Sequence, residues 1–230
     1  MKLVMFVKRI KDVFLNKDLI RKRQLKIQYD KIGNKDASFA IAINLLNNES
    51  IVYSFGVGDD ISFDVGLIKM YRLKVYAFDP TPRSIEWVEK NPSIPESFIF
   101  NPWGISNEDK IEKFYPPLVD AHVSFSINNI QNSNAKYIEG QVYKLGTIMK
   151  KLNHGKIDLL KMDIEGKEYE VLDDILESEN YIGQIVVEFH HRYDKIGANK
   201  TKNIINKLNL KGYKIFYISD NGEEYSFIKK

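Results

Sequence analysis

Short runs rich in β-branched and aromatic residues alternate along the chain with segments whose apolar positions recur every three or four residues. Residues 51–55, 74–78, 97–101, 157–162 and 184–189 have the first character and are expected as strands. Residues 60–71, 82–90, 142–151, 167–176 and 200–208 have the second and are expected as helices. Pro82 falls in a first helical turn, where its missing N–H is no loss. Residues 104–127 read as irregular or antiparallel β structure. Segments 214–219 and 224–228 flank Asp220-Asn221-Gly222 and form a final hairpin, because Asn-Gly suits a tight turn between strands. Alternating β and α units imply an α/β fold: a mostly parallel sheet with helices on both faces. The closing hairpin adds antiparallel strands at one edge.

Ahead of this alternation, residues 37–46 have helical spacing and end at Asn47-Asn48. So do Leu3, Phe6, Val7, Ile10, Val13 and Phe14, with basic residues between them. The organisation expected is one domain over 1–230 with a basic, helical N-terminal extension of about residues 1–48. Charge sharpens this picture. The net charge is only +3, yet residues 1–26 carry nine basic groups against Asp12 and Asp18. The remainder is net −4. Two readings of the basic start stay open: a helix packed on the core, or weak attachment to an anionic membrane surface or acidic partner. Nucleic acid is not an expected partner, since the remainder is acidic and carries no nucleic-acid motif. The apolar run 3–7 is too short for a secretory signal and Lys8-Arg9 interrupts it. Cysteine is absent, so no disulfide, thiolate metal site or Cys nucleophile is expected. That fits a reducing cytosol; the expected location is cytoplasmic, with a membrane-peripheral variant.

In open parallel sheets, ligands bind beyond the carboxyl ends of the strands. Those ends are legible here. The first reads Gly56-Val57-Gly58-Asp59-Asp60, the second Asp79-Pro80, and the third leads to Trp103-Gly104-Ile105-Ser106. The fourth ends in Asp163-Ile164-Glu165-Gly166 and the fifth in Glu188-Phe189-His190-His191. Asp79 lies 21 residues after Gly58. An acid at that distance from a glycine turn suits the two ribose hydroxyls of an adenosine-bearing ligand, because a carboxylate offers two acceptor oxygens. A dinucleotide fits poorly. The third glycine position holds Ile61, and Asp59 and Asp60 would repel a pyrophosphate. S-adenosylmethionine has adenosine, a sulfonium, an ammonium and no phosphate, so the same acids favour it.

Three stretches, "VYSFGVGDDISFD", "VYAFDPTP" and "IDLLKMDIEGKEYEVLDDI", together resemble the FkbM-like family of class I S-adenosylmethionine-dependent methyltransferases. The run 160–168 matches that family's LKxDxEGxE signature, and the resemblance covers about residues 51–190. It implies a Rossmann-like, seven-stranded sheet whose last strand is antiparallel. It implies that Gly56 and Gly58 pass the methionine part of the cofactor and that Asp79, followed by Pro80, takes the ribose. Ile105 and Ser106 would lie near the adenine, and Asp163 and Glu165 near the methyl group. Many relatives carry an acid where this chain has Ser54, so the ammonium contact there passes to Asp59 or Asp60.

Methyl transfer from a sulfonium needs an aligned nucleophile and a group to take its proton. Asp163, Glu165 and His190 are the candidates for that base. No metal is expected; Asp163, Glu188 and His190 are the weak candidates for a divalent ion if one binds. Family members mostly methylate oxygen on sugars or secondary metabolites, which makes a saccharide or surface-glycan precursor the expected acceptor. The alternatives are another small-molecule acceptor (nitrogen, phosphate or phosphoramidate, lipid) or a non-catalytic partner protein of the same fold.

Overall fold

The computed structural model describes residues 11–35, 37–115, 137–193 and 196–230. In chain order its elements are β1 (Tyr29–Ile32), β2 (Phe39–Ala42), β3 (Val52–Phe55), α1 (Ser62–Tyr71), β4 (Val75–Phe78), α2 (Pro82–Lys90), β5 (Phe98–Asn101), β6 (Gly104–Ile105) and β7 (Lys110–Phe114). They continue with β8 (Ile138–Tyr143), α3 (Leu145–Leu152), β9 (Ile157–Met162), α4 (Glu168–Glu177), β10 (Ile182–Glu188), α5 (Ala198–Leu210), β11 (Tyr213–Ile218) and β12 (Glu224–Lys229). Seven strands form the main sheet in the order β11-β12-β10-β9-β3-β4-β5. All neighbours from β10 to β5 are parallel. Only β12 runs against the rest, and it lies between β10 and β11. The closing hairpin therefore adds one antiparallel strand inside the sheet, and its first strand forms the edge.

Side chains alternate between the faces along each strand. On β3, Tyr53 and Phe55 join the larger apolar cluster with residues of α3, α4 and α5. Val52 joins the opposite cluster with Phe63 and Leu67 of α1 and with Phe39 and Ile41. Those last two belong to β2, which corrects the helix expected over 37–46. Phe39 and Ile41 face the main sheet, while Ala40 and Ala42 pack against Phe216. A strand buried on both faces shows no alternation, so its apolar run was open to a helical reading. Antiparallel pairing with β1 and a hydrogen bond from Ala42 N–H to Gln184 Oε1 (2.9 Å) fix its place. The extension expected to be helical is thus helical only at 11–14 among its described residues, followed by irregular chain and this hairpin.

Strand β8 also falls where the pattern gave no strand, and α3 starts at Leu145 rather than at 142. Gly140 breaks its pattern for a packing reason: a Cβ there would fall 2.8 Å from Pro80. β8 pairs with β6 and β7 in a separate three-stranded sheet beside Pro80. The β structure expected over 104–127 is found as far as Phe114; Pro116, Pro117, His122 and Phe125 lie outside the described residues, as do positions 1–10. No helix among the described residues is long and apolar enough to cross a membrane.

The chain before β1 covers the edge of the main sheet. Gln24 and Leu25 donate their N–H groups to Ile215 O (2.7 and 3.0 Å), and Ile215 N–H returns a bond to Gln24 Oε1 (2.8 Å). An exposed edge strand invites foreign pairing, and this segment occupies it. Its anchor is Asp18, which is buried against His191 Nε2 (3.3 Å) and Arg192 Nη2 (2.8 Å). Phe14, Leu15 and Ile20 of the same segment remain exposed.

Burial pushes the Asp18 carboxyl up, but bonds from His191, Arg192 and Leu19 N–H win and hold it at about 2, below its usual 3.8. A depressed folded-state value stabilises above the unfolded value and is lost as pH falls through the folded one. Asp18→Asn should therefore lower Tm at neutral pH, and the gap to the parent should shrink steadily between pH 4 and pH 2. Calorimetry across that range checks it; a gap independent of pH would show that the ion pair contributes nothing.

Candidate active site

A cavity of about 280 Å³ opens at the carboxyl ends of β3, β4 and β9. The two glycines of its loop are there for different reasons. Gly56 has φ +85°, and a Cβ on it would fall 1.9 Å from the carbonyl oxygen of Asp163. No side chain fits between the ends of β3 and β9. Gly58 has φ +55°, and a Cβ on it would meet nothing within 4 Å. It borders the cavity, so its missing side chain leaves ligand room.

Two charged groups hold this loop. Asp79 Oδ2 accepts the N–H groups of Val57 (3.0 Å) and Gly58 (3.2 Å). Its Oδ1 accepts Thr81 N–H (2.9 Å) and Oγ1–H (2.6 Å). A carboxylate has about four acceptor positions, and all four are engaged. Asp79 thus pins the glycine loop to the end of β4. From the other side Lys161, buried on β9, donates through Nζ to the carbonyls of Phe55 (3.1 Å) and Gly56 (2.6 Å). Asp64 of α1 is buried near it; burial pushes its carboxyl up, and the Lys161 charge opposes that.

The other expected cofactor residues divide. Asp59, Asp60, Pro80 and Ile105 border the cavity. Asp59 pairs loosely with Arg83 (3.6 Å), both exposed. Asp60 also starts α1: its Oδ1 accepts Ser62 N–H (2.7 Å) and its Oδ2 accepts from Asn34 Nδ2 (3.2 Å). Burial would raise its pKa, but the bonds from Ser62 and Asn34 lower it below the usual range. Ser54 and Ser106 do not reach the cavity wall. Ser54 is fully buried on β3, on the face opposite Tyr53 and Phe55, because side chains alternate along the strand. Ser106 is buried, with its Oγ on Asn107 Oδ1 (3.3 Å).

Asp163 and Glu165 also border the cavity. The loop carrying them turns through two left-handed residues, Glu165 (φ +55°) and Gly166 (φ +100°). Such a conformation is uncommon for a non-glycine residue and needs outside support. Glu168 supplies it. This fully buried side chain accepts the N–H groups of Ile164 (3.2 Å) and Gly166 (3.0 Å) on Oε1. The same oxygen lies 2.8 Å from His190 Nδ1. A carboxylate only accepts, so Nδ1 donates and Nε2 turns the other way. There it lies 3.5 Å from Glu165 Oε2 and 3.7 Å from Asp163 Oδ1. The Tyr193 hydroxyl donates to that Glu165 oxygen, and its ring sits 5.0 Å from the imidazole.

Burial alone would pull the His190 pKa down. The charges of Glu168, Asp163 and Glu165 and the bond to Glu168 prevail and hold it well above the ordinary range. Glu188 behaves oppositely: burial and the Asp163 charge push its carboxyl up, against the pull of His190. The set of residues able to hold an ion is therefore corrected. Asp163, Glu165 and His190 bring one ligand atom each within 4.8 Å of the others, with Glu165 in the place expected of Glu188. Lys161, Glu168 and Tyr193 were not singled out from the sequence. The first two lie inside the quoted motif, and Tyr193 follows His190 by three residues.

The fold is that of the class I S-adenosylmethionine-dependent methyltransferases. Among solved structures, the fibrillarin pre-rRNA processing protein of Methanococcus jannaschii superposes with a TM-score of 0.50 at 12% identity, over 82% of this chain and 70% of that one. The family model described as the methyltransferase FkbM domain matches residues 45–215, and the chain belongs to that family. It is similar to the human "Probable methyltransferase-like protein 24", 26% identical over 207 residues, 85% of this chain. It is similar to the "Hexuronic acid methyltransferase AglP" of Haloferax volcanii, 25% identical over 151 residues, 62% of this chain. The match spans 50% of the human protein's length and 61% of the Haloferax protein's. The cofactor of such a domain is S-adenosylmethionine.

The two glycines should respond differently to alanine. Gly56→Ala collides with backbone and should give little folded protein. Gly58→Ala costs only about 1–2 kcal/mol of left-handed strain, so it should fold, with its new methyl in the cofactor's space. Calorimetric titration with S-adenosylhomocysteine on Gly58→Ala should show weakened binding; parent-like affinity would remove Gly58 from the cofactor wall. Asp79→Ala strips four donors of their acceptor. It should lower both Tm and cofactor affinity, the latter about tenfold or more, since each ~1.4 kcal/mol is a factor of ten. Unchanged affinity would mean that the glycine loop does not need Asp79 to receive the cofactor.

Proposed function

We propose that this domain methylates a hydroxyl oxygen of a saccharide or surface-glycan precursor. The observation that carries the proposal is the position of Asp163 and Glu165. They border the cavity and also meet His190. An acceptor lying against them is next to the cofactor's methyl group. Carboxylates accept hydrogen bonds from hydroxyls, so they orient a polyol while leaving an oxygen lone pair free to attack. In the step itself the acceptor oxygen bonds to the methyl carbon, the carbon–sulfur bond breaks, and the electron pair stays on sulfur. The acceptor's proton passes to a carboxylate, with Asp163 the better placed because it is the more exposed of the two. The similarity to a protein named a hexuronic acid methyltransferase supports a sugar acceptor.

Release of S-adenosylhomocysteine with a panel of sugars, amines and lipids tests the reading. Turnover should appear with hydroxyl acceptors of the sugar class. Asp163→Asn, Glu165→Gln and His190→Gln keep shape and remove basicity or charge. Loss of the group that takes the proton should lower kcat by about 10²–10⁴-fold, with S-adenosylhomocysteine affinity nearly constant. Near-parent turnover in all three variants would defeat the assignment of the proton acceptor.

A further inference from the structure

We infer that Asp163, Glu165 and His190 bind one divalent cation of the Mg²⁺ or Mn²⁺ kind on the acceptor side of the cavity. The geometry favours a shared ion over a direct ion pair. Charge-assisted N–H···O bonds are about 2.7–2.9 Å long. His190 Nε2 stands at 3.5 and 3.7 Å from the two carboxylate oxygens instead. Neighbouring ligands on one octahedral ion, each about 2.0–2.3 Å from it, are roughly 2.8–3.3 Å apart, so the three side chains, whose ligand atoms lie within 4.8 Å of one another, would draw in slightly on binding. His190 is nine-tenths buried, and its Nε2 faces both carboxylates beyond hydrogen-bond length, so an ion entering between them would displace the Nε2 proton. A buried ring nitrogen aimed between two carboxylates is suited to coordinate what they coordinate.

The outer contacts agree. A metal-bound histidine commonly donates its other N–H to a carboxylate, which fixes the ring. Glu168 occupies that position at 2.8 Å and also holds the loop carrying Asp163 and Glu165. The Tyr193 hydroxyl fixes Glu165. Nearby side-chain cations are engaged elsewhere. Lys161 is on the Phe55 and Gly56 carbonyls, Lys167 on Glu170, and Arg192 on Asp18 and Glu223. Asp163 is about one-third exposed, which leaves the outer side open to water or acceptor oxygens. Two carboxylates with one imidazole, completed by oxygen, suit Mg²⁺ or Mn²⁺ better than thiophilic ions. On the methyl-transfer reading above, the ion would hold the acceptor hydroxyl and make it more acidic; binding of the ion does not depend on that reading.

Mn²⁺ titration of the full chain, followed by the loss of the free-ion electron paramagnetic resonance signal, tests the site. The parent should bind one Mn²⁺ per chain. His190→Ala, Asp163→Asn and Glu165→Gln should each weaken it at least tenfold, and Glu168→Gln by about 10–100-fold. Asp173→Asn, at the surface ion pair with Lys207 (2.7 Å), should bind like the parent. Should His190→Ala fail to fold, Glu165→Gln carries the test, since Glu165 is not fully buried. S-adenosylhomocysteine titration on the same samples reports the cofactor site separately. A dead enzyme that still binds Mn²⁺ would count against the acceptor reading and for the ion. No Mn²⁺ bound at millimolar concentration, or affinity unchanged in His190→Ala and Glu165→Gln, overturns the inference.

Discussion

One close approach governs the mouth of this sheet. At the end of β3 the chain passes so near the carbonyl of Asp163 that the position between them must be glycine. That contact joins the glycine loop to the loop bearing Asp163 and Glu165. Any side chain at 56 would push the two apart. Other groups hold the approach. Lys161 draws the Phe55 and Gly56 carbonyls toward β9, and Asp79 draws the next two N–H groups toward β4. Hydrogen bonds to charged groups contribute about 1.5–3 kcal/mol each, more than the single neutral bonds of an ordinary turn. The loop is therefore held in place without any ligand.

Two buried charge networks stand behind the two loops, and they work alike. Lys161 with Asp64 lies behind the glycine loop, and Glu168 with His190 behind the acid loop. Burying a charge is costly unless partners satisfy it, and a buried ion pair is weak support for stability as such. Both networks spend their hydrogen bonds on backbone. Lys161 takes carbonyls and Glu168 takes N–H groups, so each fixes the path of a loop that has left its strand. Their structural return is position.

How much of this the sequence carried depended on whether a signal was local. β9 was readable to the residue because Ile157, Leu159, Leu160 and Met162 crowd a short run between Gly155-Lys156 and the Asp163 turn, even though Asp158 and Lys161 interrupt it. The glycines and acids at the strand ends were readable because the parallel-sheet rule assigns them a place. Segment 37–46 was misread because β2 is sandwiched on both faces, and apolar runs of that length do not distinguish strand from helix. β8 was missed because its Gly140 answers to Pro80, sixty residues earlier. The site shows the same division. Ser54 was placed by family position, and its burial depends on which face of β3 meets α1. Asp79 was found, but its four donors were not, since three-dimensional saturation of a carboxylate leaves no trace in spacing. Glu168 sat in the motif with no visible task until His190, 22 residues on, came within 2.8 Å.

The sign of the cavity's charge bears on how such a site could act as well as bind. Asp59, Asp60, Asp163 and Glu165 all border the cavity. During methyl transfer the sulfonium loses its positive charge, while the attacking oxygen gains positive character until its proton leaves. Carboxylates beside the sulfur would stabilise the starting state and slow the step; interactions accelerate it only if they strengthen toward the transition state. Acids near the cofactor's unchanging ammonium contribute uniform binding. Acids beside the acceptor oxygen meet charge as it develops. The glycine loop and the loop after β9 carry their acids on separate segments, so the two kinds of interaction can be divided between them, with Gly56 at the point where the loops meet.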